Sequence, residues 1–309
     1  MPLRLRHRPR DWLLLFALVA MWGSAFLFNR IALERFTPVS LVTLRLLVGA
    51  AVLAVATSLS RPGWRGLRRA LWPWFLAMAL VGNALPFWLI AWGQETIDSG
   101  LAGILMAVNP LATLLLAHFL IPGETLTTRR LAGFALGFVG IVVLMGPALL
   151  LDRPETRGVL LAELAVLGGA LCYSAGSIIA RLRPESDDLL TSTMVLILAS
   201  GLMLPLDLAS PAPWPAAPGW PALLAAGFLG VIATGLATVV YFRLLRSAGP
   251  SFLSQINYLI PVWALALGAV VLDEPVTPRT LLALGLILGG IALAQVRWTS
   301  SPEAVSDEP

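Results

Sequence analysis

The sequence predicts an all-α membrane protein: ten transmembrane helices arranged as two inverted five-helix repeats around a central cavity. Three observations carry this. Of the 309 residues 58% are hydrophobic and 12% charged, with mean hydropathy +0.85, whereas about a quarter of a soluble domain is charged. The apolar residues gather into ten segments of spanning length. The chain also matches itself, landmark for landmark, at an offset of 150 or 151 residues.

One crossing needs about 20 predominantly apolar residues, so ten use about 200 of the chain and leave only short connections. That excludes a soluble enzyme on a membrane anchor. The segments run over 12–30, 38–59, 71–93, 99–121, 129–150, 158–181, 189–208, 220–245, 250–272 and 279–297. Charged or Pro/Gly-rich stretches break them: Arg61-Pro62-Gly63-Trp64-Arg65, Pro122-Gly123-Glu124, Asp152-Arg153-Pro154 and Pro211-Ala212-Pro213-Trp214-Pro215. The polar, acidic end from Ser300 is expected to be disordered. The start, Arg4-Leu5-Arg6-His7-Arg8, imitates a signal peptide. The apolar run behind it is long and its second half matches a later segment, so the first span is expected to stay.

All 21 basic residues are arginine. With ten spans, Arg4, Arg6, Arg8, Arg10, Arg61, Arg65, Arg68, Arg69, Arg129, Arg130, Arg181, Arg183, Arg243, Arg246 and Arg297 share one face. Arg30, Arg35, Arg153, Arg157 and Arg279 share the other, with Arg45 inside span two. This asymmetry predicts both termini in the cytoplasm of the inner membrane. It also reads the pI near 10.2 as topology rather than as a nucleic-acid surface. One cysteine, Cys172, and two histidines provide neither an internal disulfide nor a dedicated metal site.

At the repeat offset Arg30 falls on Arg181, Trp22 on Tyr173, Pro110 on Pro261 and Gly140 on Gly290. Glu124, Thr127 and Arg129 fall on Glu274, Thr277 and Arg279. Each half holds five spans, an odd number, so the second enters the membrane inverted. Such repeats enclose a midplane site between the halves and point to a transporter. The chain reads as one membrane domain, with repeat one over 12–150, repeat two over 158–297 and a polar tail over 298–309.

Several stretches carry a family resemblance: Trp22-Gly23-Ser24-Ala25-Phe26, Leu41-Val42-Thr43-Leu44-Arg45 and Met106-Ala107-Val108-Asn109-Pro110-Leu111. So do Pro122-Gly123-Glu124-Thr125-Leu126-Thr127 and its second copy, Leu272-Asp273-Glu274-Pro275-Val276-Thr277. Together they resemble the ten-span EamA-type branch of the drug/metabolite transporter superfamily over about residues 12–297. The resemblance implies a bacterial exporter of amino acids or related metabolites. Walls formed by spans one, three and four and their counterparts six, eight and nine are implied as well.

Polar groups inside a membrane are costly and point to function. Pro110 and Pro261 lie mid-span, where proline removes a helical hydrogen bond and kinks the helix, freeing carbonyls at 106 and 257. Asn83, Asn109, Gln255, Asn257 and Tyr258 supply hydrogen-bonding groups suited to a zwitterion. The competing reading is interhelical adhesion, worth about 0.6 kcal/mol on average. Trp22, Trp88 and Trp263 lie deep enough to form an aromatic wall, and Trp22 is expected to face Tyr173 across the pseudo-axis. Trp12, Trp64, Trp72, Trp74 and Trp298 read as interface anchors.

Arg45 is expected to snorkel or to pair with a carboxylate or carbonyls, a mostly structural role; the resemblance implies an arginine here. Glu163 is its candidate partner, or is wet. His118 reads as a satisfied histidine. Gly133, Gly137 and Gly140 against Gly285 and Gly289 predict close packing of spans five and ten. No acid lies near the middle of a span, so the cavity is expected to carry no fixed net charge and to suit neutral or zwitterionic solutes.

The function these features predict is export of neutral or aromatic amino acids, or similar small metabolites, by alternating access. Partners are the small-molecule substrate and the lipid bilayer; no nucleic acid, cofactor or obligate protein partner is implied. Multidrug or organic-cation efflux is the alternative, favoured by the deep tryptophans. A channel is the rival of another class, separable by linear rather than saturable flux. A nucleotide-sugar carrier would want more cations than Arg45. No nucleophile–base pair or metal motif supports an enzyme.

Overall fold

The computed structural model describes residues 8–61, 63–150, 154–210, 214 and 217–295, the backbone alone at 147–150 and 154–155. The basic start through His7, Pro62, Leu151-Asp152-Arg153, Pro211-Ala212-Pro213, Pro215-Ala216 and 296–309, with Arg297, Trp298 and the acidic tail, lie outside the described residues.

Among the described residues ten helical spans follow one another. They are α1 (Pro9–Leu33), α2 (Pro38–Leu59), α3 (Arg69–Gln94), α4 (Ser99–Leu120), α5 (Thr128–Leu150), α6 (Pro154–Leu182), α7 (Asp188–Leu208), α8 (219–248), α9 (250–271) and α10 (Pro278–Gln295). Proline and a polar cap open several of them. Thr37 Oγ1 accepts from the Ser40 N–H at 3.2 Å ahead of α2, and Thr277 Oγ1 from the Thr280 N–H at 3.1 Å ahead of α10. Asp187 caps α7 by accepting from the Leu190 N–H at 2.8 Å. Gly249, at φ 80° and ψ 169°, separates α8 from α9. That backbone suits glycine and little else.

Four spans depart from regular α-helix. In α3 the segment Leu80–Ala84 is π-helical, and in α8 so is Phe228–Leu236. The two lie at equivalent places, since 80–84 maps onto 230–234. In α3 the wider turn precedes Pro86, whose ring cannot serve the carbonyl four residues back. The Asn83 amide donates to the Met78 carbonyl at 3.2 Å, within the wider turn, whereas the carbonyl that Pro86 leaves is that of Gly82. Span α4 breaks at Ala107-Val108, immediately before Asn109 and Pro110. Span α9 breaks at Ser254-Gln255, and Pro261 lies inside the continuous helix Ile256–Val271. The kink expected at Pro261 therefore falls one to two turns earlier, and the two prolines are not used alike.

The packing follows the repeat. Helix α2 lies against α7 and α5 against α10, each a pair of counterparts; α1 crosses to α8 and α9, and α6 crosses to α3 and α4. At one end of the α2–α7 pair Thr57 bonds Thr193 at 2.7 Å. At the other Ser40 donates to Asp207 at 2.7 Å. Residues 57 and 207 are counterparts. Spans five and ten do meet closely: a Cβ on Gly133 would stand 2.5 Å from the Gly290 carbonyl oxygen, and one on Gly140 2.8 Å from Ile287. On α10 the contact is made by Gly290, not Gly285, whose added Cβ meets nothing within 4 Å.

Candidate functional site

The polar centre of the molecule is built on Arg45. It is 8% exposed and its Nε donates to Thr234 Oγ1 at 2.9 Å, while the guanidinium lies over the Phe87 ring at 3.8 Å. Phe87 meets Tyr173 edge-on with ring centres 6.1 Å apart. Trp22 donates to the carbonyl of Ala233, the neighbour of Thr234, at 3.0 Å and packs on Tyr241 at 5.7 Å. Five spans, α1, α2, α3, α6 and α8, thus contribute to one cluster. Local sequence sets its geometry: Gly49, one turn past Arg45 on the same face of α2, leaves room for Thr234, whose Cγ2 would stand 2.7 Å from a Cβ there.

This corrects two expectations. Arg45 does not snorkel. Glu163 is not its partner, and it is not wet: it is 3% exposed, and the charge acting on it is Arg279. Among the described residues no carboxylate lies within salt-bridge distance of Arg45. A guanidinium near the middle of a span costs about 3 kcal/mol, and here one hydroxyl and one ring face stand against that cost. The centre consequently carries a fixed positive charge, contrary to the neutral cavity expected from the absence of mid-span acids.

The other candidate residues divide into groups. Trp22 and Tyr173 both join the cluster, but their ring contacts are with Tyr241 and Phe87 rather than with each other. Trp88 stacks on Trp92 at 6.5 Å. Asn109, beside Pro110, accepts from Ser174 at 2.9 Å through Oδ1 and so ties α4 to α6. Gln255 and Asn257 are half-buried at the break in α9. Tyr258 turns away, donating to Gln295 Oε1 on α10 at 3.1 Å. Trp263 seats on Gly23 and donates to Ser24 Oγ at 3.0 Å, joining α9 to α1. His118 is satisfied, with Nδ1 3.0 Å from the Glu124 carbonyl oxygen. Phe87, Thr234 and the two π segments were not singled out by sequence. Only the lone mid-span charge of Arg45 offered a signal.

The two motif glutamates sit in unlike surroundings at opposite ends. Gly123, at φ 86°, and its counterpart Asp273, at φ 54°, make the same left-handed turn and present Glu124 and Glu274. On the arginine-poor face Glu274 accepts the Ser99 and Gly100 N–H groups at 2.7 and 2.8 Å, closing the start of α4. Gly268 makes this possible, since a Cβ there would collide with the Glu274 carboxylate. Beside them α4 and α9 are pressed together, a Cβ on Gly103 standing 2.5 Å from that of Ala264. Arg30 donates to the carbonyls of Gln94 and Glu95 at 2.8 and 3.2 Å. On the arginine-rich face Glu124 pairs with Arg181 at 3.0 Å and Arg130 at 3.5 Å. The hydrogen bond from Arg181, aided by Arg130, holds Glu124 below the usual carboxylate range.

The EamA-like transporter family model matches residues 11–146 and again 160–295. An uncharacterized inner membrane transporter, YedA, of Escherichia coli (strain K12) is 27% identical over 285 residues, covering 90% of this chain and 88% of that one. The uncharacterized protein PA1977 of Pseudomonas aeruginosa is 31% identical over 298 residues, with 90% and 91% covered. A crystal structure at 22% identity superposes with a TM-score of 0.67 over 93% of this chain and 98% of its own, a likeness of fold.

Proposed function

The chain belongs to the EamA-like transporter family, and on that premise we propose that it exports neutral or aromatic amino acids, or similar small metabolites, by alternating access. On this reading it lies in the inner membrane with both termini in the cytoplasm, a placement that the arginine asymmetry supports.

The unlike state of its two symmetry-related ends carries the reading. On the arginine-poor face, the outer one here, Gly103 and Ala264 bring α4 and α9 together and Glu274 of repeat two caps α4 of repeat one. Their counterparts on the cytoplasmic face, at the offset that aligns Pro110 with Pro261, are Ser254 and Thr113, whose neighbours are Leu253 and Leu114. Leu253 packs in a cluster with Leu15 and Leu18, Leu114 in another with Leu111 and Leu144. Glu124 is held by Arg181 and Arg130 rather than by the start of α9. Two inverted halves can exchange shapes. In the exchanged state Glu124 would cap α9, taking the Ser251 and Phe252 N–H groups because Pro250 has none. Glu274 would turn to Arg30, the counterpart of Arg181.

Asp98, just ahead of α4, gives this switch a pH dependence. Burial first, then the charge of Glu274, raises its carboxyl above the usual range, while Arg30 pulls the other way. Ionised Asp98 therefore opposes the closed outer end, and protonation relieves it. Closure is favoured as the pH falls through that raised value and disfavoured above it. Thiol labelling of Leu265→Cys at the outer seam, in a Cys172→Ser background, should slow on acidification by more than the loss of thiolate accounts for, and Asp98→Asn should leave only the thiolate's own dependence. Coincident pH profiles for parent and variant would dismiss the role.

The function itself is tested with purified protein in liposomes, following labelled L-phenylalanine and L-leucine. Saturable uptake, accelerated by unlabelled amino acid on the far side, is expected. Uptake linear in concentration would make the protein a channel. No amino-acid uptake, with saturable uptake of tetraphenylphosphonium, would make it an organic-cation carrier.

A further inference from the structure

We propose that Arg45 anchors the carboxylate of the transported solute, so that the cargo is a small organic acid or zwitterion rather than an amine. The proposal rests on the carrier function above and specifies what its centre recognises.

Arginine stays protonated and carries five N–H donors. The Nε donor goes to Thr234, leaving those on the two terminal nitrogens. Neither terminal nitrogen is among the fully buried, unbonded polar atoms, and the residue keeps 8% of its surface accessible. Both nitrogens therefore keep some accessible surface and donate to no group of the chain among the described residues. The two together form the fork that matches a carboxylate in a bidentate pair. Among the described residues no acid occupies that position. A buried cation held by one hydroxyl and one ring is short of a counter-charge, and a bound carboxylate supplies it.

The surroundings hold the fork rather than fill it. Thr234 fixes the Nε side, and Gly49 lets Thr234 approach. Phe87 covers one guanidinium face, directing a ligand to the edge. Tyr173 lies within electrostatic reach of Arg45 and against Phe87, and Trp22 is tied to the carbonyl next to Thr234. An apolar or aromatic side chain attached to the carboxylate would meet these rings. Arg45 belongs to repeat one and Thr234 to repeat two, so a carboxylate seated here lies where the repeats meet.

The test is binding to purified wild-type protein of three probes sharing a phenyl ring: L-phenylalanine, 3-phenylpropionate and phenethylamine. Both carboxylates are expected to bind at least about tenfold more tightly than the amine. Arg45→Lys, which keeps the charge and loses the fork, should weaken the carboxylates about tenfold. Arg45→Gln should weaken them about a hundredfold, with the amine unchanged in Arg45→Lys and no weaker in Arg45→Gln. Should Arg45→Gln fail to fold, the wild-type acid-to-amine ratio and the lysine variant decide. Equal wild-type affinity for acid and amine, or full carboxylate affinity in folded Arg45→Gln, would overturn the anchor while saturable phenylalanine transport keeps the carrier function. Absence of any carboxylate binding or amino-acid transport in the wild type would remove both.

Discussion

Gly290→Val is expected to cost about 3 kcal/mol of stability, a large fraction of what holds a folded chain of this kind together. A Cβ at this position would stand 2.5 Å from the Gly133 carbonyl oxygen and 2.7 Å from the Gly137 amide nitrogen. Both are backbone atoms of α5, so no side-chain rotation makes room and the helices must part. Their separation would forfeit the contacts that Gly133, Gly140 and Ile287 make along the same seam. Gly285→Val is the matched control, since nothing lies within 4 Å of its added Cβ. Thermal unfolding of the two variants in detergent should separate clearly, Gly285→Val staying with the wild type. Equal midpoints would mean that the seam contributes little.

That pair of glycines also marks how far the sequence could be read. Spacing alone placed close packing between spans five and ten, because small residues at helical intervals admit backbones in a membrane. Spacing could not choose between Gly285, Gly289 and Gly290, since the facing side depends on how α10 is rotated against α5. The same limit appears at the breaks. Proline identifies a lost hydrogen bond, and Pro110 does sit at the break in α4. Pro261 instead stays within a continuous helix while Ser254-Gln255 absorbs the bend, a choice made by packing rather than by the local chain.

The centre was legible in Trp22, Tyr173 and the presence of Arg45, and not in the direction that Arg45 takes. Trp22 and Tyr173 could be found by the repeat, because counterparts in inverted halves converge on the axis. Arg45 was visible as the only charge deep in a span, yet whether it turns outward or inward depends on Gly49 and Thr234, 189 residues apart from Arg45 in the latter case. Phe87 and Thr234 have no sequence signature of their own. The π segment of α8 brings Thr234 into position without a proline to announce it, and such π turns are frequent at functional sites.

Glu274→Gln is expected to open the outer end. The carboxylate accepts two backbone N–H groups at 2.7 and 2.8 Å from the first turn of α4. Hydrogen bonds to a charged group are worth about 1.5–3 kcal/mol, and the helix start adds about 0.3–1 kcal/mol for a negative partner. Glutamine keeps one accepting oxygen but turns an NH2 toward the second donor, and it carries no charge. A loss of about 2 kcal/mol would shift the equilibrium between closed and open outer ends about thirtyfold. Labelling of Leu265→Cys, which lies where α9 meets Gly100, should rise by that factor. Glu124→Gln should act the other way. In this state Glu124 makes only solvent-accessible ion pairs with Arg181 and Arg130, worth about 0–1 kcal/mol, whereas in the exchanged state it would cap α9. Removing it penalises the exchanged state more, so labelling at the outer seam should stay level or fall. If both variants label alike, the two glutamates are not opposing latches and the unlike ends of the molecule need another cause.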